Sequence, residues 1–257
     1  GCQIDTNASS GTIVMRVPVA VGVTATTGTN TASASGGGDP ACTAAGACTA
    51  TTPPVSVGSS AIVTTTDSGG VSGVPGGTVV PNIVGNDSIG GVTATVGAGG
   101  NATVTTDPAS PAWPSYIHLN SNTGAVTVDP ASPAGTHSLK YELCEVINPS
   151  NCKVETVTVT ITPVISVSKA ASASSFIVGA AGQYYDITVT VASGPTSAAI
   201  TISDTLPVGI TLSGTPTKQG SSSSDGVLSG CPATGASLSG CQIDTNASSG
   251  TIVMRVP

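Results

Sequence analysis

The chain has 257 residues, of which only 7% are charged and 2% aromatic, with a formal net charge of −7. Six scattered Lys/Arg in an acidic chain exclude a nucleic-acid footprint, and no apolar run approaches the roughly 18 residues of a membrane-spanning helix. Two histidines and three glutamates leave little acid–base chemistry.

The composition also argues against disorder, which pairs low hydrophobicity with high net charge. Val, Ile and Ala supply most of the apolar residues, and Thr and Ser fill the gaps. β-Branched types suit a pleated, half-buried surface. With 33 glycines and 18 prolines as punctuation, this predicts an all-β chain of short strands and tight turns.

In chain order, the first feature is a repeat. Residues 1–18 read GCQIDTNASSGTIVMRVP, and residues 240–257 read the same. Residue n thus corresponds to residue n + 239. Two readings compete: a window on a longer polypeptide with a 239-residue period, or a complete protein with duplicated ends that exchanges a terminal strand. Ile13, Met15, Val17, Val19, Val21 and Val23 alternate with Thr12, Val14, Arg16, Pro18, Ala20 and Gly22. This predicts one long strand through Pro18, which is tolerable at an edge or bulge. Pro257 falls in the middle of that pattern, and Gly1 follows neither an initiator Met nor a signal peptide. Both points favour the longer polypeptide. Thr12, Ile13, Val14, Met15, Arg16, Val17, Pro18 and Val19 are therefore expected to take part in assembly.

Seven cysteines become six per repeat, because Cys2 and Cys241 are the same position. Sequence proximity groups them as Cys42 with Cys48, Cys144 with Cys152, and Cys231 with Cys241, although six cysteines allow 15 connectivities. Cys2 would then bond a cysteine of the preceding repeat. A zinc site needs close ligand quartets, whereas the spacings here are C-x5-C, C-x7-C and C-x9-C with no histidine nearby. Disulfides imply an extracellular location.

Residues 56–163 form one expected domain. Its strands are Ala61–Thr66, Val92–Val96, Ala102–Thr106, Gly124–Val128, Ser138–Cys144 and Val154–Thr162. Leu139, Tyr141 and Leu143 alternate with polar residues, as do Val157, Val159 and Ile161. Short strands between Gly/Pro/Asn/Asp turns indicate a β-sandwich. The runs Val79–Asp87 (VVPNIVGND), Leu119–Val128 (LNSNTGAVTV) and Ala134–Tyr141 (AGTHSLKY) resemble the cadherin-like and immunoglobulin-like repeats of large bacterial surface proteins.

The second expected domain starts near Val164, with strands Tyr184–Val191 and Ala198–Ser203. The string Asp204–Ile210 (DTLPVGI) resembles the conserved-repeat domain of bacterial and archaeal surface proteins, domain of unknown function eleven. Residues Thr29–Ala34 (TNTASA), Gly38–Pro40 and Cys42 resemble the way such domains end. The family's asparagine-containing turn is replaced by Ala192–Pro195 (ASGP). The resemblance implies two immunoglobulin-like β-sandwiches per repeat. In this reading residues 1–55 are the C-terminal part of a conserved-repeat sandwich begun in the preceding repeat. Residues 164–257 are the N-terminal part of the next. It implies no catalytic residues.

His118 and His137 are the only candidate bases, and neither accompanies a G-x-S-x-G elbow. Nothing singles out Glu142, Glu145 or Asp186 as a hydrolase pair. No enzyme and no cofactor are expected. Calcium wants six to eight oxygens, but the turn Asn86–Gly90 offers one carboxylate, and Asp67, Asp107 and Asp129 each stand alone in sequence. Asx-turn chemistry is the simpler reading. An isopeptide staple would need a lysine such as Lys140 or Lys153 near Glu142 or Glu155, a task disulfides already fill. Sequons at Asn7, Asn86, Asn101 and Asn246 and a Ser/Thr-rich surface leave a place for glycan.

The expected function is structural: a repeat unit of a giant extracellular protein whose main partner is itself, in a surface filament or matrix cable. A rigid adhesin stalk is the alternative. A carbohydrate-binding module is weaker, because Trp113 is the only obvious aromatic platform.

Overall fold

Strand alternation with large apolar residues dominates the architecture. The computed structural model describes residues 3–4, 10–22, 24–43, 48–221, 227–244 and 246–257. Cys2, Asn7 and Val23, all singled out above, lie outside them. The chain divides into two units, residues 1–60 and 61–257.

In the first unit, β1 (Thr31–Ala34) pairs antiparallel with β2 (Cys48–Thr51). A short 3-10 turn at Pro40–Cys42 is capped by Asp39, whose Oδ1 accepts from the Ala41 N–H at 2.8 Å. The disulfide Cys42–Cys48 ties that turn to β2. The long strand expected from residue 12 to 24 is not present: residues 12–22 carry no strand and are exposed throughout. A strand is a paired state, and this segment has no sheet neighbour among the described residues.

In the second unit, residues 61–163 build a first sandwich. Its strands are β3 (Ile62–Val63), β4 (Asp67–Ser72), β5 (Gly77–Val80), β6 (Ser88–Ile89), β7 (Val92–Thr93), β8 (Ala102–Thr106), β9 (Ile117–Leu119), β10 (Val126–Val128), β11 (Gly135–Glu145) and β12 (Cys152–Thr162). One sheet has the order β4-β12-β11-β8, and smaller sheets have the orders β5-β10-β9 and β3-β6-β7. The hairpin β11–β12 runs in register from Gly135↔Ile161 to Cys144↔Cys152, and the disulfide Cys144–Cys152 closes its tip. Leu139, Tyr141 and Leu143 of β11 and Val157, Val159 and Ile161 of β12 are buried in a core that includes Ile83, Val104 and Val126. The strand expected at 61–66 is two residues long. The chain resumes at β4, where a Cβ on Gly69 would collide with the Val79 backbone. That close approach explains the glycine at position 69 of the strand.

Residues 164–257 build a second sandwich with its own core. Its strands are β13 (Val164–Ala171), β14 (Tyr185–Ser193), β15 (Ile200–Thr205), β16 (Thr217–Ser221), β17 (Leu228–Ser229), β18 (Ser237–Ile243) and β19 (Gly250–Val256). One sheet has the order β13-β14-β19-β16 and the other β15-β18-β17. Ile187, Val189, Val191, Leu238, Ile252 and Met254 fill the space between them. The disulfide Cys231–Cys241 staples the second sheet.

The two sandwiches meet tightly. The Ser193 Oγ donates to the Ser132 carbonyl at 2.7 Å, and the Ala134 N–H donates to the Gly194 carbonyl at 2.8 Å. Ser132 and Ser193 are buried there. Gly73 packs so closely that a Cβ would strike Ser193 and the Ser132 carbonyl. Buried, hydrogen-bonded polar groups of this kind hold two domains in one orientation.

Candidate functional sites

The repeated segment occurs in two environments. In β19, Ile252, Met254 and Val256 are buried against Ile187 and Val189, which lie opposite in β14. Arg255 sits on the other face. Its Nε donates to Asp186 Oδ1 at 2.9 Å and its terminal nitrogen to Asp186 Oδ2 at 3.0 Å, while the guanidinium lies 3.7 Å from the Tyr184 ring centroid. In the first copy, Ile13, Met15 and Val17 are 61–66% exposed. Thr12, Val14, Arg16, Pro18 and Val19 are exposed beside them.

A second site is an acid pair that the sequence reading keeps apart. The Tyr141 hydroxyl lies 3.3 Å from Asp67 Oδ2, 3.1 Å from Asp87 Oδ2 and 3.2 Å from the Ile83 carbonyl. One phenol proton cannot serve three acceptors at once. Burial, then the charge of Asp87, pushes Asp67 up to about 6. Burial likewise raises Asp87, against a hydrogen bond from the Thr65 N–H at 2.8 Å. A protonated carboxyl donating to the phenol oxygen satisfies the cluster. Burial also raises Tyr141, with both carboxylates adding to it. Glu155 lies at the rim, accepting from Thr64 and Thr66, and the Thr156 N–H holds it below the usual carboxylate range.

These groups do not assemble a cation cage. Among the described residues, the only group of three or more potential metal ligands within reach of one another is Glu142, Cys144 and Cys152. Its two sulfurs are joined in a disulfide and cannot act as thiolates. Asp107 is committed to its own turn, accepting from the Ala109 N–H at 3.0 Å and Ser110 Oγ at 2.6 Å. His118 pairs with Asp129 at 3.0 Å on the surface, and His137 meets Tyr116 edge-on. Lys169 bridges to Asp204 at 2.6 Å and lies over the Tyr185 ring.

Trp113 is half-buried, packs on the first core and donates its indole N–H to the Lys140 carbonyl at 2.9 Å. Its indole N–H and one side of the ring are thereby committed to the first sandwich. Of the described sequons, Asn101 spends its amide on Thr95 and Thr93, and the exposed Asn86 donates its Nδ2 to Asp67 Oδ1 at 3.3 Å, whereas Asn246 is exposed.

No family model matches the chain, and no curated protein matches it. Among solved structures it is similar to protocadherin gamma B2 extracellular cadherin domains 3–6, at 12% identity and a TM-score of 0.30, over 74% of this chain and 39% of that one. It is also similar to protocadherin gamma B7 extracellular cadherin domains 1–4, at 14% identity and a TM-score of 0.30, over 88% and 51%. The protocadherin gamma B4 extracellular domain aligns at 12% identity with a TM-score of 0.28, over 74% and 44%. The chain thus spans about half or less of each of these chains. The functional reading below rests on the chain's own repeat, disulfides and sheet edges.

Proposed function

We propose that the chain is a structural repeat unit of an extracellular filament or matrix cable, built by association with further repeats of itself. The observation that carries this reading is the framing repeat. The 18 residues that begin the chain recur as 240–257, where β19 is a central strand of the second sandwich. An element so placed in one copy makes the same element in the next copy a candidate for the same kind of pairing. On this reading residues 164–239 and the following repeat's 1–55 form one conserved-repeat sandwich, and residues 56–163 form the other domain. Three disulfides support an oxidising, extracellular setting. The interlocked Gly73–Ser132–Ser193 junction supports transmission of load from one sandwich to the next. Exposed Asn86 and Asn246 leave room for glycan on the surface.

The same stiffness suits an adhesin stalk, and lateral contact separates the two. Electron cryo-microscopy of native material without crosslinker is the test. A cable shows repeats fused into a continuous fibre, with burial between repeats well above the roughly 1,000 Å² of a specific contact. Separate beads with weak lateral contact support the stalk and overturn the cable.

A further inference from the structure

The second sandwich is uncovered along one side. In antiparallel pairing, residues directly opposite share a face. Ile165 lies opposite Val191, and Val167 opposite Val189. Val189 and Val191 are buried in the core, so Ile165 and Val167 also point to the core side of their sheet. Yet they are 49% and 68% exposed. The cause is the facing sheet, which ends at β15. Between β13 and β15 runs an open groove of about 220 Å³, floored by Ile165, Val167, Val189, Ile200 and Ile202. β15 presents its outer edge beside it. An unpaired edge next to exposed core-side Val and Ile is the signature of a sheet that lacks strands.

The missing strands have a defined place. In an immunoglobulin-type sandwich, strands A, B, E and D form one sheet, and C, F and G the other. β13, β14, β19 and β16 follow the first order in space; β17 and β18 fall in the chain between β16 and β19 and extend the facing sheet on the inner side of β15, which holds the place of C. Strands F and G should therefore come after the β19 sequence and add to the outer edge of β15. The first copy of the repeat supplies candidates for them. There the same strand sequence ends at Pro18, and the next strands along the chain are β1, from Thr31, and β2, from Cys48.

The hairpin β1–β2 fits the role. Its register puts Ala32 opposite Ala50 and Ala34 opposite Cys48, so one face is small and apolar. Thr31, Ser33, Thr49 and Thr51 form the other, polar face. Ala32, Ala34 and Ala50 are nevertheless exposed. A two-stranded hairpin with nothing against its apolar face is marginal in water. Small residues on the hairpin complement the bulk of Ile165 and Val167 in the groove.

We infer that the β13–β15 groove is the docking site for the β1–β2 hairpin of a second copy of this chain, which adds strands to the edge of β15 and closes the second sandwich. The contact is heterologous: every copy carries one groove and one hairpin, so it propagates head to tail. The inference rests on the repeat-unit reading above and specifies its joint.

The test uses the full chain and two variants at exposed positions. Val167→Lys puts a charge in the groove and spares the hairpin. Ala32→Asp does the reverse. Light scattering after size exclusion is read for the wild type, each variant alone and an equimolar mixture, with circular dichroism to verify folding. The wild type should assemble with rising concentration. Each variant alone should remain at the single-chain mass of 24.5 kDa. The mixture should form pairs of twice that mass and nothing larger, because each pair retains one blocked groove and one blocked hairpin. A monomeric wild type, or a mixture that fails to pair, overturns the inference. Wild-type filaments that both variants leave intact overturn the docking site but not the repeat-unit reading. A wild type that closes into small rings instead of filaments, with pairing in the mixture, keeps the docking site and overturns the filament reading.

Discussion

Residues 11–17 and Gly250–Val256 are the same seven amino acids in two physical states. In β19 they pair with β14 on one side and β16 on the other, and Ile252, Met254 and Val256 are buried. In the first copy they are exposed and carry no strand. β-Propensity and alternation are identical in both, so neither is sufficient. What differs is the presence of a neighbouring strand and a facing sheet. Burial of each large apolar side chain is worth about 1.5–3 kcal/mol, and only the second copy collects it.

The same substitution in the two copies should have very different effects. Met254→Ala should destabilise the second sandwich by about 2–5 kcal/mol, the range for truncation of a buried Met. Met15→Ala should stay within about 0.5 kcal/mol, as exposed substitutions do. Urea unfolding of dilute protein measures both. Equal effects would mean that residues 11–17 are packed in solution.

Disulfides extend the comparison to the hairpins. Removing Cys42–Cys48 or Cys144–Cys152 by paired Ser substitution costs about 2–3 kcal/mol for such short loops. The consequences should differ. β11–β12 is anchored by Tyr141, Leu143, Val157 and Val159 in a core, so its amides should remain protected from hydrogen exchange. Among the described residues β1–β2 has no such anchor, so its amides should lose protection. Retained protection in β1–β2 would show that its apolar face is covered.

The same contrast explains what is legible in the sequence. β8 matches the expected strand residue for residue, and β11 and β12 extend beyond the expected 138–144 and 154–162 by one to three residues at an end. All three carry alternating apolar side chains that the fold buries. β4 escapes a pattern-based reading because Gly69 and Gly70 hide a strand that needs close backbone approach. Residues 12–22 are over-read because alternation does not reveal whether a partner exists. The acid pair is invisible for another reason. Asp67 and Asp87 lie twenty residues apart, one opening β4 and the other just before β6, and only the packing of those two segments brings both to Tyr141. The one available signal is Tyr141 itself, since a buried phenol needs a polar partner.

That pair allows a pH test confined to the first sandwich. Asp67 titrates near 6 in the folded chain against 3.8 ordinarily, and Asp87 is shifted the same way. The native state therefore binds more protons than the unfolded state between about pH 4 and 6, and stability falls as pH rises through that window. Asp107 and Glu155 are shifted down and oppose the effect. Because Asp67 is only half-buried, the full shift is discounted for screening to about 1 kcal/mol. Asp67→Asn should flatten the profile and leave β19 exchange unchanged. A profile that rises between pH 4 and 6 would sink the proton-sharing account.

The smallest expected effect concerns the polar face of the repeated strand. Arg255 grips Asp186 with two nitrogens and lies on Tyr184, a planar arrangement that Lys cannot reproduce. Partly exposed ion pairs contribute little and are screened by salt. Arg255→Lys and Arg255→Ala should lower the thermal midpoint of the second sandwich slightly, and added salt should shrink the difference. Arg16→Ala should not move it in dilute protein. If Arg16→Ala instead destabilises as much as Arg255→Ala, residues 12–18 hold a strand partner in solution, and the two copies differ by less than their exposure implies. A midpoint that responds to Arg16 only at high protein concentration would place that partner in another molecule.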